Sequence, residues 1–245
     1  MANEIELLDL RTDVAAPEER SALCQAFYDD VYRAAFPKLA QSESPREWLP
    51  LINADLPPPA PLLHLIVARR VGPADGGKII GGIIIEYFRA SRSALATYIA
   101  VAPEARGRGL ARRLLAAAVG QATADNGGKR PLILAEVERP EAQTSAADRA
   151  QATARLGILA ALGALRLEVD YVQPSLGEGK PPLDDLHLVM FAPEGPAPRS
   201  IAARDVRDFI VEFYKSLEQG GSAEQQRVLG SLDKGRVGLK ALGAQ

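Results

Sequence analysis

The spacing of apolar residues changes period several times along the chain, and each change marks an element. Ile5, Leu7, Leu8 and Leu10, interleaved with Glu6 and Asp9, read as a first strand. A helix is predicted from Pro17, where a missing N–H costs nothing, and Glu18 and Glu19 suit the positive end of its dipole. Leu23, Cys24, Phe27, Tyr28 and Val31 then recur at helical spacing. Ser44-Pro45-Arg46-Glu47 has the form of a capping box opening a second helix, and the prolines of Pro57–Pro61 forbid its continuation. Strands over Leu63–Arg70 and Lys78–Tyr87 flank the turn-rich Gly72–Gly77, and Leu95–Val101 completes an antiparallel meander. From Gly109 a helix carries Leu110, Leu114, Leu115, Ala118 and Val119 on one face and stops at Asn126-Gly127-Gly128. Pro131–Glu138 is a strand, Asp148–Leu162 a helix ended by Gly163, and Leu165–Tyr171 and Leu186–Phe191 are further strands.

This order predicts a mixed α/β fold over residues 1–192, a central and mostly antiparallel sheet with helices on both faces. The Pro/Gly-rich stretch from Pro193 to Pro198 predicts a linker, taken as 193–200. Beyond it lies a C-terminal helical extension, 201–245, in which Val206, Phe209, Ile210, Phe213, Tyr214 and Leu217 form an apolar stripe. Ser222 and Gln225 cap a weaker second helix there. A stripe this apolar needs a cover, either the chain's own core or a second copy in a homodimer.

Composition narrows the function classes. Of 245 residues 47% are apolar and 24% charged, as in ordinary globular proteins, and the formal charge of −2 gives no general pull toward nucleic acid or anionic membrane. One cysteine, Cys24, excludes an internal disulfide and a multi-cysteine zinc site, and with only His64 and His187 beside it no metal is expected. The acidic start lacks the apolar core of a signal peptide, and no run reaches the roughly eighteen apolar residues of a membrane span. A cytoplasmic protein is the expectation.

The segment Tyr98–Ala111 carries the chemistry. A strand runs into a short loop and straight into a helix, with glycines at 107 and 109 that let a ligand approach the backbone. First-turn amides have no partners within a helix and present donors and a positive dipole end to an anion. Arg106 and Arg108 add formal charge, so the corner is a phosphate seat. It is not a dinucleotide fingerprint, because Arg112 stands where a small residue is needed. It is not a P-loop either, because Gly77-Lys78 is followed by Ile79.

The run Arg106-Gly107-Arg108-Gly109-Leu110-Ala111 resembles the R/Q-x-x-G-x-G/A signature of the GNAT acetyltransferases, and Ile99-Ala100-Val101-Ala102-Pro103 stands where that family has its L-x-V-x-P. The element order is similar from about residue 4 to 192, roughly four-fifths of the chain. The resemblance implies an N-acetyltransferase that moves an acetyl group from acetyl-CoA, without a metal, to a primary amine. The amine is expected on a small molecule, with protein amines as the second choice. It also implies that the amides of Gly107–Ala111 hold the CoA pyrophosphate, and that backbone groups along Ile99-Ala100-Val101 pair with pantetheine.

Acetyl transfer needs a base for the ammonium proton and, for the departing thiolate, a proton donor. Glu136, in Leu134-Ala135-Glu136-Val137-Glu138, looks like the glutamate of the L-E-V stretch in the ribosomal N-terminal acetyltransferase branch, and Glu138 shares its face by alternation. Glu86, closing Ile83-Ile84-Ile85, is the second candidate. Two positions depart from the family: Leu95 stands where histone acetyltransferases have a glutamate, and Leu159 where many members have an acid tyrosine. A phenol would therefore come from Tyr98 or Tyr171. The insert Ser175–Asp184 and the second helix, opened by Ser44, are both candidates for the acceptor mouth. Cys24, mid-helix, reads as a small core residue. A non-catalytic acyl-CoA sensor, binding cofactor with no base poised, is the alternative.

Overall fold

The computed structural model describes residues 4–37, 43–72, 77–193, 195–232 and 235–242. The chain folds into two compact units, Met1–Tyr87 with Ala96–Pro131, and Phe88–Leu95 with Leu132–Gln245. Both mix strands and helices, and the fold is mixed α/β.

The first unit begins with β1 (Glu4–Asp9), α1 (Pro17–Phe27), a π-turn at Tyr28–Tyr32, α2 (Arg33–Ala35) and α3 (Pro45–Asn53). β2 (Leu62–Val71), β3 (Ile79–Phe88), β4 (Ser93–Val101) and α4 (Leu110–Asp125) follow. β1 pairs antiparallel with β2 from Glu4↔Val71 to Asp9↔Ile66, and β2 with β3 from Leu62↔Tyr87 through a bulge at Ala68/Arg69. The predicted capping box is present: the Ser44 hydroxyl accepts from the Arg46 amide, and Glu47 accepts from the Ser44 amide at 3.0 Å. Part of the predicted hairpin turn, residues 73–76, lies outside the described residues. Gly82 shows why a strand this apolar carries glycine: a Cβ there would lie 2.6 Å from the Phe27 ring, so only a bare backbone lets α1 lie on β3. Cys24 is buried, and desolvation pushes its thiol up to about 12, so the core reading holds and no thiolate forms near neutral pH.

One buried polar cluster sets a pH dependence for this unit. His64, 1% exposed, has Nδ1 at 2.7 Å from Asp9 Oδ2 and Nε2 at 2.9 Å from Asp125 Oδ2, the second contact poorly aligned for a hydrogen bond. Burial alone would lower its pKa, but the carboxylates of Asp125 and Asp9 outweigh it and raise it to about 9. A pKa raised on folding means that the imidazolium stabilises the fold fully below the unfolded value of about 6.5. That contribution is lost as pH rises through 9. Free energies of urea unfolding at pH 6 and pH 9.5 are expected to differ by about 3 kcal/mol from this group, the protein being more stable at pH 6. His64→Asn should flatten the difference; an equal slope in that variant would assign the dependence elsewhere.

The second unit contains β5 (Leu132–Glu138), α5 (Ala146–Ala161), β6 (Ala164–Leu167), β7 (Leu186–Phe191), β8 (Ser200–Ala202), α6 (Ala203–Ser216), α7 (Ala223–Gly230) and β9 (Arg236–Ala241). Its strands run in the order β5-β7-β6-β9-β8, every neighbour antiparallel. Apart from residue 194, the stretch read as a linker carries no helix or strand before Ser200. The C-terminal stretch read as a helical extension is more than helices, since it also supplies β8 and β9 and joins the sheet through β6. Arg236-Val237-Gly238-Leu239-Lys240 gave too short an alternation to be recognised. β6 stops at Leu167, four residues before the predicted end, because the chain then leaves the β7 ladder.

The apolar stripe of α6 is covered within the chain. Val206, Phe209, Ile210, Phe213 and Tyr214 are at most 4% exposed and pack with Phe88, Leu134, Tyr171, Leu188 and Met190. The homodimer contact expected as an alternative therefore loses its basis, because this face is already buried. Opposite the stripe, Glu212 is also buried, and its carboxylate accepts from the amides of Ala90 and Ser91 at 3.0 and 2.6 Å, holding the turn before β4.

Candidate functional site

Two groups of residues carry chemistry, one in each unit. In the first, β4 ends at Val101, a tight turn spans Pro103–Ala105, and α4 opens at Leu110. Gly107 and Gly109 both have φ of 75°, which disfavours any side chain, and the space a Cβ would take is open at each. Residues 106–109 are exposed, while buried Leu110 anchors the helix start. Among the described residues the amides of Gly107–Ala111 donate to no acceptor in the chain. The corner thus presents a run of unused donors at a helix N-terminus, with room above the backbone for a bulky anion. Arg106 is turned back, its Nε donating to the Val101 carbonyl at 3.1 Å, and Lys78 pairs with Glu104 at 2.8 Å. On β4, Ile99 and Val101 are half-buried and Ala100 is buried.

The other candidates of this unit have occupied side chains. Tyr98, 7% exposed, sits in an aromatic cluster, edge-on to Tyr32 at 5.0 Å and to Phe36 at 5.4 Å. Its neighbour Tyr32 has a phenol that burial pushes up to about 12. Glu86, on β3, accepts from the Thr97 hydroxyl at 3.1 Å.

The second unit brings together two residues that the sequence proposed separately. Glu136 projects from β5 opposite Leu188, half-buried, and the Tyr171 hydroxyl donates to its Oε1. Gln173, which sequence reasoning missed, donates its Nε2 to the other oxygen at 2.8 Å. The segment carrying both partners is held in place: the Tyr214 hydroxyl donates to the Val172 carbonyl at 2.6 Å, and Gln173 and Leu183 exchange backbone bonds at 2.7 and 3.1 Å. Tyr171 is fully buried. Desolvation, with the charge and hydrogen bond of Glu136 added, holds its phenol well above the usual value. A phenol so firmly protonated orients a carboxylate better than it protonates a leaving group. Glu138, on the same face of β5, is paired with Arg155 of α5. An open pocket of about 420 Å³ is lined by Val172, Pro182, Asp184, Ala223, Glu224 and Arg227. Pro182 and Asp184 belong to the insert expected at the acceptor mouth. Among the described residues no group of His, Cys, Asp and Glu could hold a metal ion, and no helix is long and apolar enough to cross a membrane.

An open, glycine-lined corner where a strand meets a helix has the form of a backbone anion site. Residues 62–152 match the acetyltransferase (GNAT) domain family. No curated protein matches the chain in sequence. Among solved structures, nourseothricin acetyltransferase is 20% identical, with a TM-score of 0.36 over 53% of this chain and 64% of that one. The IAA acetyltransferase from Bacillus cereus is 15% identical, with a TM-score of 0.42 over 77% and 99%. The Salmonella typhimurium protein yncA, solved with its cofactor acetyl-CoA, is 16% identical, with a TM-score of 0.42 over 80% and 98%. At this distance no residue's role passes from them to this chain.

Proposed function

We propose that this protein is an N-acetyltransferase that moves the acetyl group of acetyl-CoA to the primary amine of a small molecule by direct attack. The catalytic part in this reading is residues 1–192, with Ala223, Glu224 and Arg227 of the C-terminal stretch completing the acceptor mouth. The observation that carries it is the run of unused amides from Gly107 to Ala111, inside the segment that matches the family. Those amides hold the pyrophosphate, with Arg106 and Arg108 beside them, and the backbone of Ile99, Ala100 and Val101 pairs with pantetheine in the manner of an added strand. Acetyl-CoA supplies an activated carbonyl and a good leaving group. Glu136 takes the ammonium proton, directly or through water, and Tyr171 and Gln173 fix its orientation. The pocket beside Val172 is the acceptor mouth in this reading, with protein amines the second choice of acceptor.

Gly109→Glu tests the cofactor half. It sets a carboxylate into the anion seat and a side chain onto a residue with φ of 75°. Wild-type protein is expected to gain several degrees in melting temperature at saturating CoA, and the variant to gain none. A full shift in the variant would move the CoA site elsewhere. Acetyl-CoA binding without turnover of any amine would instead favour a sensor.

A further inference from the structure

Tyr171, which donates to Glu136, stands in a stretch that no ladder fixes: β6 ends at Leu167, and residues 168–172 belong to no helix or strand. A donor on such a stretch is only as well placed as the side chains that tie the stretch down. Here those ties come from the C-terminal part of the chain. Arg227 donates from Nε and Nη2 to the two carboxylate oxygens of Asp170, at 2.7 and 2.8 Å. The Asp170 amide donates to the Ser231 hydroxyl at 3.2 Å. Arg227 and Ser231 lie four positions apart, so one face at the end of α7 grips the residue immediately before Tyr171. α7 is itself fastened, because Val228 is fully buried, and Val228 and Leu232 pack in the core that holds Leu134 and Leu188. The Arg227 and Asp170 side chains are 48% and 46% exposed, and an ion pair in that setting adds little to stability. Two parallel bonds nonetheless fix direction as well as distance.

We infer that Arg227 is a positioning residue for the base, setting Tyr171 against Glu136 through Asp170, so that the C-terminal stretch aims the carboxylate; this rests on the acetyltransferase reading with Glu136 as base. Every link lies within the second unit and runs from the core through α7, Arg227, Asp170 and Tyr171 to Glu136. Packing holds the Tyr171 ring in the core, and the grip on Asp170 holds the backbone from which the ring hangs. Loosening that grip lets the phenol drift, and a displacement of about 1 Å near the reacting atoms costs up to about a hundredfold in rate. A weaker hydrogen bond to the charged carboxylate also moves its titration to higher pH. Asp170 does not supply that change, since Arg227 holds its carboxyl below the usual value. The signature is double, a lower kcat and a displaced acidic limb.

The test measures kcat, KM and their pH profiles with acetyl-CoA and a panel of amines on wild type, Arg227→Met, Arg227→Lys, Asp170→Ala and Glu136→Gln, and the CoA-induced thermal shift of each. Arg227→Met and Asp170→Ala should each lower kcat about tenfold or more and move the acidic limb to higher pH, with the CoA shift as in wild type. Arg227→Lys keeps the charge without the fork and should show the same changes more weakly. If Arg227→Met does not fold, the lysine variant decides, and a wild-type acidic limb in it overturns the inference. Arg227 also lines the pocket beside Val172, so direct contact with the acceptor is the rival. That rival raises KM in Arg227→Met at wild-type kcat and leaves Asp170→Ala kinetically wild type, a result that overturns the inference. Loss of the CoA shift in both Arg227→Met and Asp170→Ala makes the pair merely structural and overturns it too. If these two variants behave as wild type while Glu136→Gln is inactive, the inference falls and the base assignment stands. Wild-type kcat in Glu136→Gln, or a wild type that acetylates no amine, overturns the inference together with the reading beneath it.

Discussion

Glu136→Gln is expected to lower kcat for amine acetylation by roughly 10²- to 10⁴-fold while leaving CoA binding intact. The substitution keeps the shape of the side chain, and Tyr171 and Gln173 can adapt to it. Tyr171 can donate to the new amide oxygen, and Gln173 can rotate its amide to meet the new NH2 group. What disappears is the capacity to take a proton. Steady-state kinetics across pH would show it twice, as a drop in kcat and as loss of the acidic limb of the profile. Wild-type kcat with an unshifted acidic limb would pass the role to Glu86, or leave the amine to deprotonate without help from the protein. Glu138 is the weaker substitute, because Arg155 already holds it.

Phe209→Asp is expected to cost at least about 4 kcal/mol of stability, the largest loss foreseen for a single change away from the site. Phe209 is fully buried, stacked on Phe213 at 5.3 Å and edge-on to Phe88 at 5.7 Å. Removing the ring leaves a cavity, and the replacement carboxylate finds no buried partner. A melting temperature lowered by about 10 °C or more, or failure to fold, is the expected reading. The mass of the folded protein in solution should not change, since the stripe of α6 faces its own core. An unchanged melting temperature would show that α6 does not hold the second unit together.

The two candidate sites differed in how far the sequence could reveal them. The anion seat is local: strand, loop, glycines and helix start lie within about a dozen consecutive residues, and its conformation follows from glycine's freedom and unpaired first-turn amides. The Glu136 site is not local. Tyr171 and Gln173 lie 35 and 37 residues from the carboxylate they hold. No periodicity connects them, because both sit past the end of β6 in a segment without regular structure.

A similar division runs through the fold. Hydrophobic periodicity and caps determined most helices and strands of the first two hundred residues, since those signals act over a few neighbours and the chain obeys them. The stripe on α6 was equally legible, along with the need to bury it. Which surface buries it was decided only by tertiary structure, through strands that come before and after it in the chain. Tertiary structure also decided that Glu212, off the stripe, is buried to hold a turn 121 residues away, and that β9 joins the sheet despite a weak pattern. It decided as well that Gln173 has its NH2 group on Glu136 and its amide oxygen buried without a partner. A sequence fixes what each segment tends to form, but whether a polar group finds a partner depends on what the rest of the chain brings to it.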